Sequence, residues 1–336
     1  MRAVELKGPG IESLALVERP VPEPGPGEVV LRMRAASLNY RDLTTIRGVR
    51  PGVRYPAVPL SDGCGEVVAA GAGVSRVSVG DRVAPSFFPE WISGPPPPEA
   101  KDRALGSPLD GCLQEYLRIG EQGVTRAPEH LSDEEVASLP CAALTAWRAL
   151  VVEGGARPGE RVLVQGTGGV SIFALQFAKL LGCEVVLTSS SDEKLERGAE
   201  LGADHRINYR SDPDWPARVR EATGGRGVEH ALDVGGAGSL RRCLECTAPG
   251  GHVGVIGVLG GAEEPIPIRL LMYNNVRLTG ITVGSRSDFE QMCRAIELHR
   301  LRPQISHVFA FDDYLQALEL MQRGGHFGKI CIRFGP

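Results

Sequence analysis

The sequence predicts an α/β fold, a doubly wound parallel sheet joined to a second, mostly-β domain. Three observations predict it. From residue 161 short apolar strands alternate with helical runs, the pattern of parallel βαβ units. A glycine-rich turn, Gly166-Thr167-Gly168-Gly169-Val170-Ser171, follows the first of those strands and opens a helix. The first 125 residues are instead short runs rich in Val, Leu and Ala, cut by Gly and Pro, which are strand signals without helices between them.

Taken in order, MRAVEL, SLALVERP, GEVVLRMRAASL and CGEVVAAG are expected strands. PVPEPGPGE, residues 20–28, is a connector, because proline cannot donate to a ladder. RVSVGDRVAP, residues 76–85, reads as strand, turn, strand. Residues 86–111 form a long loop with a four-proline run; loops of that length are usually functional or disordered, and Phe87, Phe88 and Trp91 make it a candidate lining of a substrate cleft. Ser132 and Glu135 have capping-box spacing ahead of one helical run, VASLPCAALTAWRALV. RVLVQ, CEVVLTS, HRINY, VEHALDVG and GHVGVIGV are the strands of the second half, with helices in SIFALQFAKLLG, DEKLERGAELG, PARVREATG and SLRRCLECTA between them. VRLTGITVG, the helices DFEQMCRAIELH and DDYLQALELMQR, and a last strand, GKICIRF, complete the chain.

Composition bounds the function. With 336 residues, about two domains are expected. The net charge of −4 excludes a globally basic nucleic-acid binder, and no stretch approaches the roughly 20 apolar residues of a membrane span. The opening MRAVELKGPG has no apolar signal region, so a cytoplasmic location is expected, with a small-molecule substrate and neither nucleic acid nor membrane as partner. The eight cysteines are scattered and expected as free thiols. Only Cys243 and Cys246 are close, on a helix with no partner pair, and the seven histidines show no ligand spacing.

The glycine turn carries the chemistry. Gly166 permits the tight turn, Gly168 lets the backbone approach a pyrophosphate, and the anion then rests on the helix N-terminus with Thr167, Gly169 and Val170 around it. The last fingerprint position is Ser171 rather than Gly or Ala. NAD sites end the second strand with a carboxylate for the ribose 2′-hydroxyl. Here that strand ends in Thr188, Ser189, Ser190 and Ser191, with Glu184 at its start and Asp192 beyond its tip. Hydroxyls from Ser189 and Ser190, with Lys194 one helical turn on, suit a 2′-phosphate, so NADP is expected over NAD.

The chain as a whole resembles the medium-chain dehydrogenase/reductase superfamily, in Asn39-Tyr40-Arg41-Asp42, LSDGCGEVVAAG, VGDRV, LPCAALTAW, the glycine turn, LGADHRINY and the terminal GKICIRF. The resemblance implies a GroES-like catalytic domain over 1–140, with 285–336 returning to it, and a Rossmann domain over 141–284. Its zinc-dependent alcohol dehydrogenases hold catalytic zinc with a Cys, a His and a later Cys. At those places this chain has Asn39, Leu60-Ser61-Asp62 and Cys141, so no bound zinc is expected; residues 86–112, where those enzymes carry four structural cysteines, hold only Cys112. The chain looks most like the zinc-free, NADPH-using quinone oxidoreductase branch. That resemblance places Asn39 and Asp42 near the nicotinamide, Lys194 and Tyr209 on the 2′-phosphate, and Gly257 and Val258 along the nicotinamide ring, with Thr145 also in the cofactor set. It makes VRLTGITVG, residues 276–284, the edge strand of a homodimer.

Without a metal, a quinone or conjugated enone is a better hydride acceptor than a simple ketone, because the developing enolate needs only hydrogen-bond donors. Asn39 and Tyr40 are candidate donors, and Tyr40 or water a candidate proton source. The duller alternatives are an Asx turn for Asn39 and Asp42, a packed Tyr40, an Asp62 that only bonds an arginine or a backbone N–H, and a Cys141 buried on a helix. An alcohol or aldehyde dehydrogenase, a biosynthetic enoyl reductase and a non-catalytic nucleotide-binding protein remain open as functions.

Overall fold

The computed structural model describes residues 1–49 and 52–335. Two units divide the chain, Met1–Leu144 with Val283–Pro336, and Thr145–Thr282.

In the first unit the Gly- and Pro-punctuated runs form β1 (Arg2–Leu6), β2 (Leu14–Glu18), β3 (Glu28–Ser37), β4 (Asp62–Ala70), β5 (Arg82–Pro85), β6 (Tyr116–Gly120) and β7 (Val124–Arg126). Helix α1 (Tyr40–Ile46) separates β3 from β4, and α2 (Asp133–Ala137) follows β7. The strand expected over 76–79 is not formed. The amides of Ser75 and Arg76 go to the Glu121 carboxylate at 2.7 and 2.8 Å, and that of Ser78 to Asp81 at 3.0 Å, so side chains take the donors a ladder would have used.

The run expected as one helix after Ser132 is interrupted. The capping box is present, with Ser132 N–H donating to the Glu135 carboxylate at 2.7 Å. The chain then widens into i→i+5 turns over Leu139–Ala143, returns to α3 (Leu144–Trp147), and widens again over Arg148–Glu153. Pro140 has no N–H to give the ladder, and the Cys141 N–H is spent on Asp62 Oδ2 at 3.0 Å. Wide turns of this kind recur at functional sites.

The second unit continues with β8 (Arg161–Gln165), α4 (Gly169–Leu180), β9 (Glu184–Ser189), α5 (Asp192–Glu200), β10 (His205–Asn208), α6 (Trp215–Ala222), β11 (Val228–Asp233), α7 (Leu240–Cys246), β12 (Thr247–Val255), α8 (Ile268–Asn274) and β13 (Arg277–Gly280). Its sheet is parallel throughout, in the order β10-β9-β8-β11-β12-β13. The order reverses between β8 and β11, the switch point at which such sheets bind ligands beyond their carboxyl ends. The strands are buried and nearly continuous in Val, Leu and Ala, as expected for a sheet covered by helices; Leu163, Val186, Val219, Ala231, Leu244 and Val253 share the core. The chain returns to the first unit with α9 (Arg286–Leu298), β14 (Ile305–Ala310), α10 (Tyr314–Arg323) and β15 (Lys329–Arg333).

The seven-stranded sheet of the first unit runs β14-β15-β3-β4-β5-β7, with β6 also on β3. Strand β15 pairs antiparallel with β3 through Cys331 opposite Ser37, which carries Lys329 alongside residue 39 at the start of α1. The segment before β4 is clamped. Leu60 holds a left-handed φ of 67°, and its carbonyl accepts from Cys112 N–H at 2.7 Å. A Cβ on Gly111 would lie 2.1 Å from Leu60 O and 2.5 Å from Pro59 O. Both obstacles are backbone, so Gly111→Ala should cost about 1–3 kcal/mol by overpacking, read by urea unfolding; an unchanged midpoint would contradict this packing.

Candidate active site

Because every strand of the second unit's sheet runs the same way, the turns after β8, β9, β10, β11 and β12 emerge at one edge. Gly166 makes the turn after β8 with a φ of 73° and donates its N–H to Thr188 O at 2.7 Å. Gly168 is the N-cap of α4 with no side-chain cap, and a Cβ there would meet nothing within 4 Å. The first-turn amides, at Gly169, Val170 and beyond, therefore face an open cradle suited to a diphosphate. Ser171 is buried, and its hydroxyl donates to Gln165 O at 2.6 Å. The departure from the usual Gly or Ala is thus a strand-end clasp that leaves the cradle clear. Thr145 and Thr167 are both buried.

Ser189, Ser190, Lys194 and Tyr209 gather at the tips of β9 and β10. Tyr209 N–H donates to Ser189 O at 3.1 Å, Ser189 Oγ accepts from Ser191 N–H, and Ser191 Oγ from Lys194 N–H, each at 3.3 Å. Burial, with Arg197 nearby, lowers the pKa of Lys194. The nearby carboxylates have partners: Asp192, opening α5, accepts from Asn208 Nδ2 at 2.7 Å, and Glu184, at the start of β9, lies 2.7 Å from His205 Nε2. After β11, Asp233 accepts from the amides of Gly235 and Gly236 and from Ser239 Oγ. Gly257 lies against this turn, where a Cβ would be 2.3 Å from Val234 O, while Val258 is exposed.

The first unit holds a buried polar cluster where α1, β4, β15 and the wide turn at 139–143 meet. Asp42, at the third position of α1, reaches back to Asn39 N–H at 2.8 Å. Ser61 Oγ donates to Asp62 Oδ1 at 2.8 Å, and Asp62 Oδ2 takes the Cys141 N–H. Asn39 Nδ2 stands 3.4 Å from Ser61 Oγ. Lys329 Nζ donates to Asn39 Oδ1 and to Leu38 O, both at 2.6 Å. Asn39, Asp42, Ser61, Asp62 and Lys329 are all buried. Burial raises the Asp42 carboxyl to about 6 against the Arg41 guanidinium, whose Nη1 is 3.7 Å away. Burial also raises Asp62, opposed by Lys329, Asn39, Ser61 and the Cys141 amide.

Of the residues expected in chemistry, Asn39 and Asp42 are brought together, and Tyr40 stands exposed at the first position of α1. Cys141 does lie on a helix, in its wide i→i+5 turns over 139–143; it is half-buried, serves the cluster through its backbone, and its thiol is pushed well up by burial. Asp62 does bond a backbone N–H, one of the readings left open. Phe87, Phe88 and Trp91, expected as a candidate cleft lining, pack as a group. All are buried and packed together at centroid distances of 4.5 and 5.9 Å, with Arg41 over Phe87 and bonded to Leu105 O, so they anchor their own loop. Sequence reasoning missed Lys329. A lysine opening a strand reads as solvated; the one available signal was the unbroken burial expected of the strand behind it.

The positions that hold zinc in similar enzymes, Asn39, Ser61 and Cys141, do converge. They present an amide, a hydroxyl and a single thiol beside a buried ammonium; one soft ligand with two neutral oxygen or nitrogen groups does not fit Zn²⁺. Among the described residues no group of three or more His, Cys, Asp or Glu is placed to hold a metal.

Fold and site together define a nucleotide-binding sheet unit and a β-rich unit with a buried polar centre. Residues 25–129 match the family model of the alcohol dehydrogenase GroES-like domain, and 169–297 that of zinc-binding dehydrogenases. A zinc-type alcohol dehydrogenase-like protein of Schizosaccharomyces pombe is 41% identical, over 96% of each chain. The solved structure of an NAD-dependent alcohol dehydrogenase matches with a TM-score of 0.91 at 35% identity, covering 100% of both chains. A mycobacterial protein solved with NADPH matches at 0.83 and 26%, covering 99% of both. The chain belongs to the medium-chain dehydrogenase/reductase superfamily.

The buried Asp42 carboxyl sets a pH dependence. Its folded pKa, about 6, lies above the ordinary 3.8, so its contribution to stability is full below pH 4 and is lost as pH rises through 6. Asp42→Asn can still accept the Asn39 N–H without the charge. Relative to wild type it should gain stability between pH 4 and 8, by up to about 3 kcal/mol, in urea titrations across that range; a pH-independent difference would contradict this burial.

Proposed function

We propose that this oxidoreductase uses NADPH to reduce a quinone, or a C=C bond conjugated to a carbonyl, without zinc. The observation that supports the reading is the buried Lys329–Asn39–Ser61–Asp62 cluster, in which an ammonium is bonded to the Asn39 amide oxygen and Ser61 to Asp62; an ammonium beside the amide disfavours a metal cation there. The open turn at Gly166–Val170 fits the nucleotide's diphosphate. When bound, the nicotinamide supplies a hydride.

The chain's own residues do the rest. The amides of Thr167, Gly168, Gly169 and Val170 hold the diphosphate. Thr145, Gly257 and Val258 complete the nucleotide site. Ser189, Ser190, Lys194 and Tyr209 take the 2′-phosphate; the preference for NADP over NAD rests on a strand end, Thr188 to Ser191, that carries hydroxyls and no carboxylate. Asn39 Nδ2 donates to the substrate oxygen as negative charge develops on it. Asp42 fixes Asn39 through its backbone N–H, and Tyr40 or water delivers the proton. Hydrogen-bond donors of this kind suffice for an enolate, whereas a simple ketone would miss the Lewis acid. The exposed strand β13, at the end of its sheet, is the proposed contact of a homodimer, and the cytoplasm the proposed location.

The name of the yeast relative favours a second reading, an alcohol dehydrogenase. An acceptor and alcohol screen with NADPH and NADH in parallel separates the two, alongside metal analysis of the purified protein. Oxidation of NADPH by quinones or enones is expected, with zinc far below one per chain and activity unchanged by chelator. Oxidation of simple alcohols, or a chelator loss restored by zinc, would overturn the proposal; tight nucleotide binding with no turnover would favour a non-catalytic protein. In Ser189→Asp the added charge should lower the NADPH-over-NADH preference in kcat/KM by about tenfold, the equivalent of about 1.4 kcal/mol; full retention of the preference would misplace the 2′-phosphate.

A further inference from the structure

We propose that Lys329 is the positioning residue of this centre, locking the side-chain amide of Asn39 with its oxygen inward and its NH₂ presented as the donor. The inference rests on the reading of Asn39 above and adds a residue that no motif assigns. An ammonium has three donors and no acceptor. At 2.6 Å from Lys329 Nζ, the amide atom facing it must be the oxygen. Asn39 therefore has one allowed orientation, not two. A second bond, to Leu38 O at 2.6 Å, ties the ammonium to the backbone one residue earlier, so it cannot swing away with the side chain it holds.

What remains of the amide is its donor end. Its neighbours there are Ser61 Oγ at 3.4 Å, a long contact, and the Asp62 carboxylate, which the Asn39 side chain also stabilises by a hydrogen bond; a substrate oxygen with developing negative charge takes the donor from Ser61. The ammonium also polarises the amide: a cation on the carbonyl oxygen strengthens the N–H as a donor, an effect that grows in a buried setting. Two further groups keep the cation in place. The carboxylates of Asp62 and Asp42 both feel its charge and are both buried, so the lysine is compensated rather than isolated. Arg41 adds the second positive charge of the cluster, beside Asp42.

The test uses Lys329→Met, which removes charge and donors at similar length, and Lys329→Gln, which restores a neutral donor. With an acceptor that the wild type reduces, Lys329→Met should lose on the order of 10²-fold in kcat, the scale of a misplaced reacting group. KM and the NADPH Kd should stay within about threefold. Lys329→Gln should recover part of kcat, since it can hold the amide oxygen without polarising it. A second readout needs no turnover. The chain has four asparagines, so [¹⁵N]asparagine labelling gives four side-chain NH₂ pairs, and Asn39→Asp assigns one. In Lys329→Met that pair should shift and the other three should not. A folded Lys329→Met with wild-type kcat, or an Asn39 pair that does not move, overturns the proposal. A wild type that reduces no acceptor, with the Asn39 pair still moved in Lys329→Met, would discard the hydride-transfer reading and leave the positioning role standing.

Discussion

The constraint on which the first unit's centre depends is the satisfaction of one buried ammonium. An uncompensated charge in a protein interior costs several kcal/mol or more, so the surroundings of Lys329 must be built to meet it. Strand β15 brings it beside α1 by antiparallel pairing with β3. Leu38 O and Asn39 Oδ1 accept its protons, and Asp62 and Asp42 balance its charge. Asp62 in turn needs donors, and it finds them in Ser61 and in the Cys141 N–H. That last bond takes an amide out of a helix already weakened by Pro140, and the wide turn at 139–143 follows. A lysine at one end of the chain is thereby linked, contact by contact, to a helical irregularity nearly 200 residues earlier.

The second unit is governed by a different rule. In a parallel sheet all carboxyl ends share an edge, and the reversal of order between β8 and β11 opens the position where the glycine turn lies. The cradle is kept empty of side chains by glycine at 166 and 168, while Ser171 closes the strand end behind it. Another glycine meets a packing limit: at Gly257 the Val234 carbonyl leaves no room for a Cβ. The same residue type thus opens one turn and tightens another, and only the structure separates the two uses.

Much of this was legible in the sequence. The alternation after residue 161, the glycine turn and the serine-rich end of β9 were readable because they depend on local periodicity and on residues close in the chain. The convergence of Asn39 and Ser61 with the turn that carries Cys141 was readable only through family resemblance. What escaped depends on partners distant in sequence. The strand expected at 76–79 was lost to Glu121, more than 40 residues away. The helix after Ser132 was opened by Asp62. Strand β14 and helix α8 carried no pattern strong enough to predict them. Lys329 was invisible because burial of a lysine is decided by carboxylates and carbonyls that only tertiary structure assembles.

The central claim, hydride transfer with a buried ammonium and amide in place of a metal, is tested most directly by isotope transfer in protein freed of metal by chelation. NADPH deuterated at the transferred position of C4 is incubated with the enzyme and a conjugated enone, and the product is read by mass spectrometry and NMR. The account predicts one deuterium per product molecule, at the β-carbon, at the same rate before and after metal removal. Transfer that stops on chelation and returns with zinc, or reduction with no deuterium at that carbon, would contradict it.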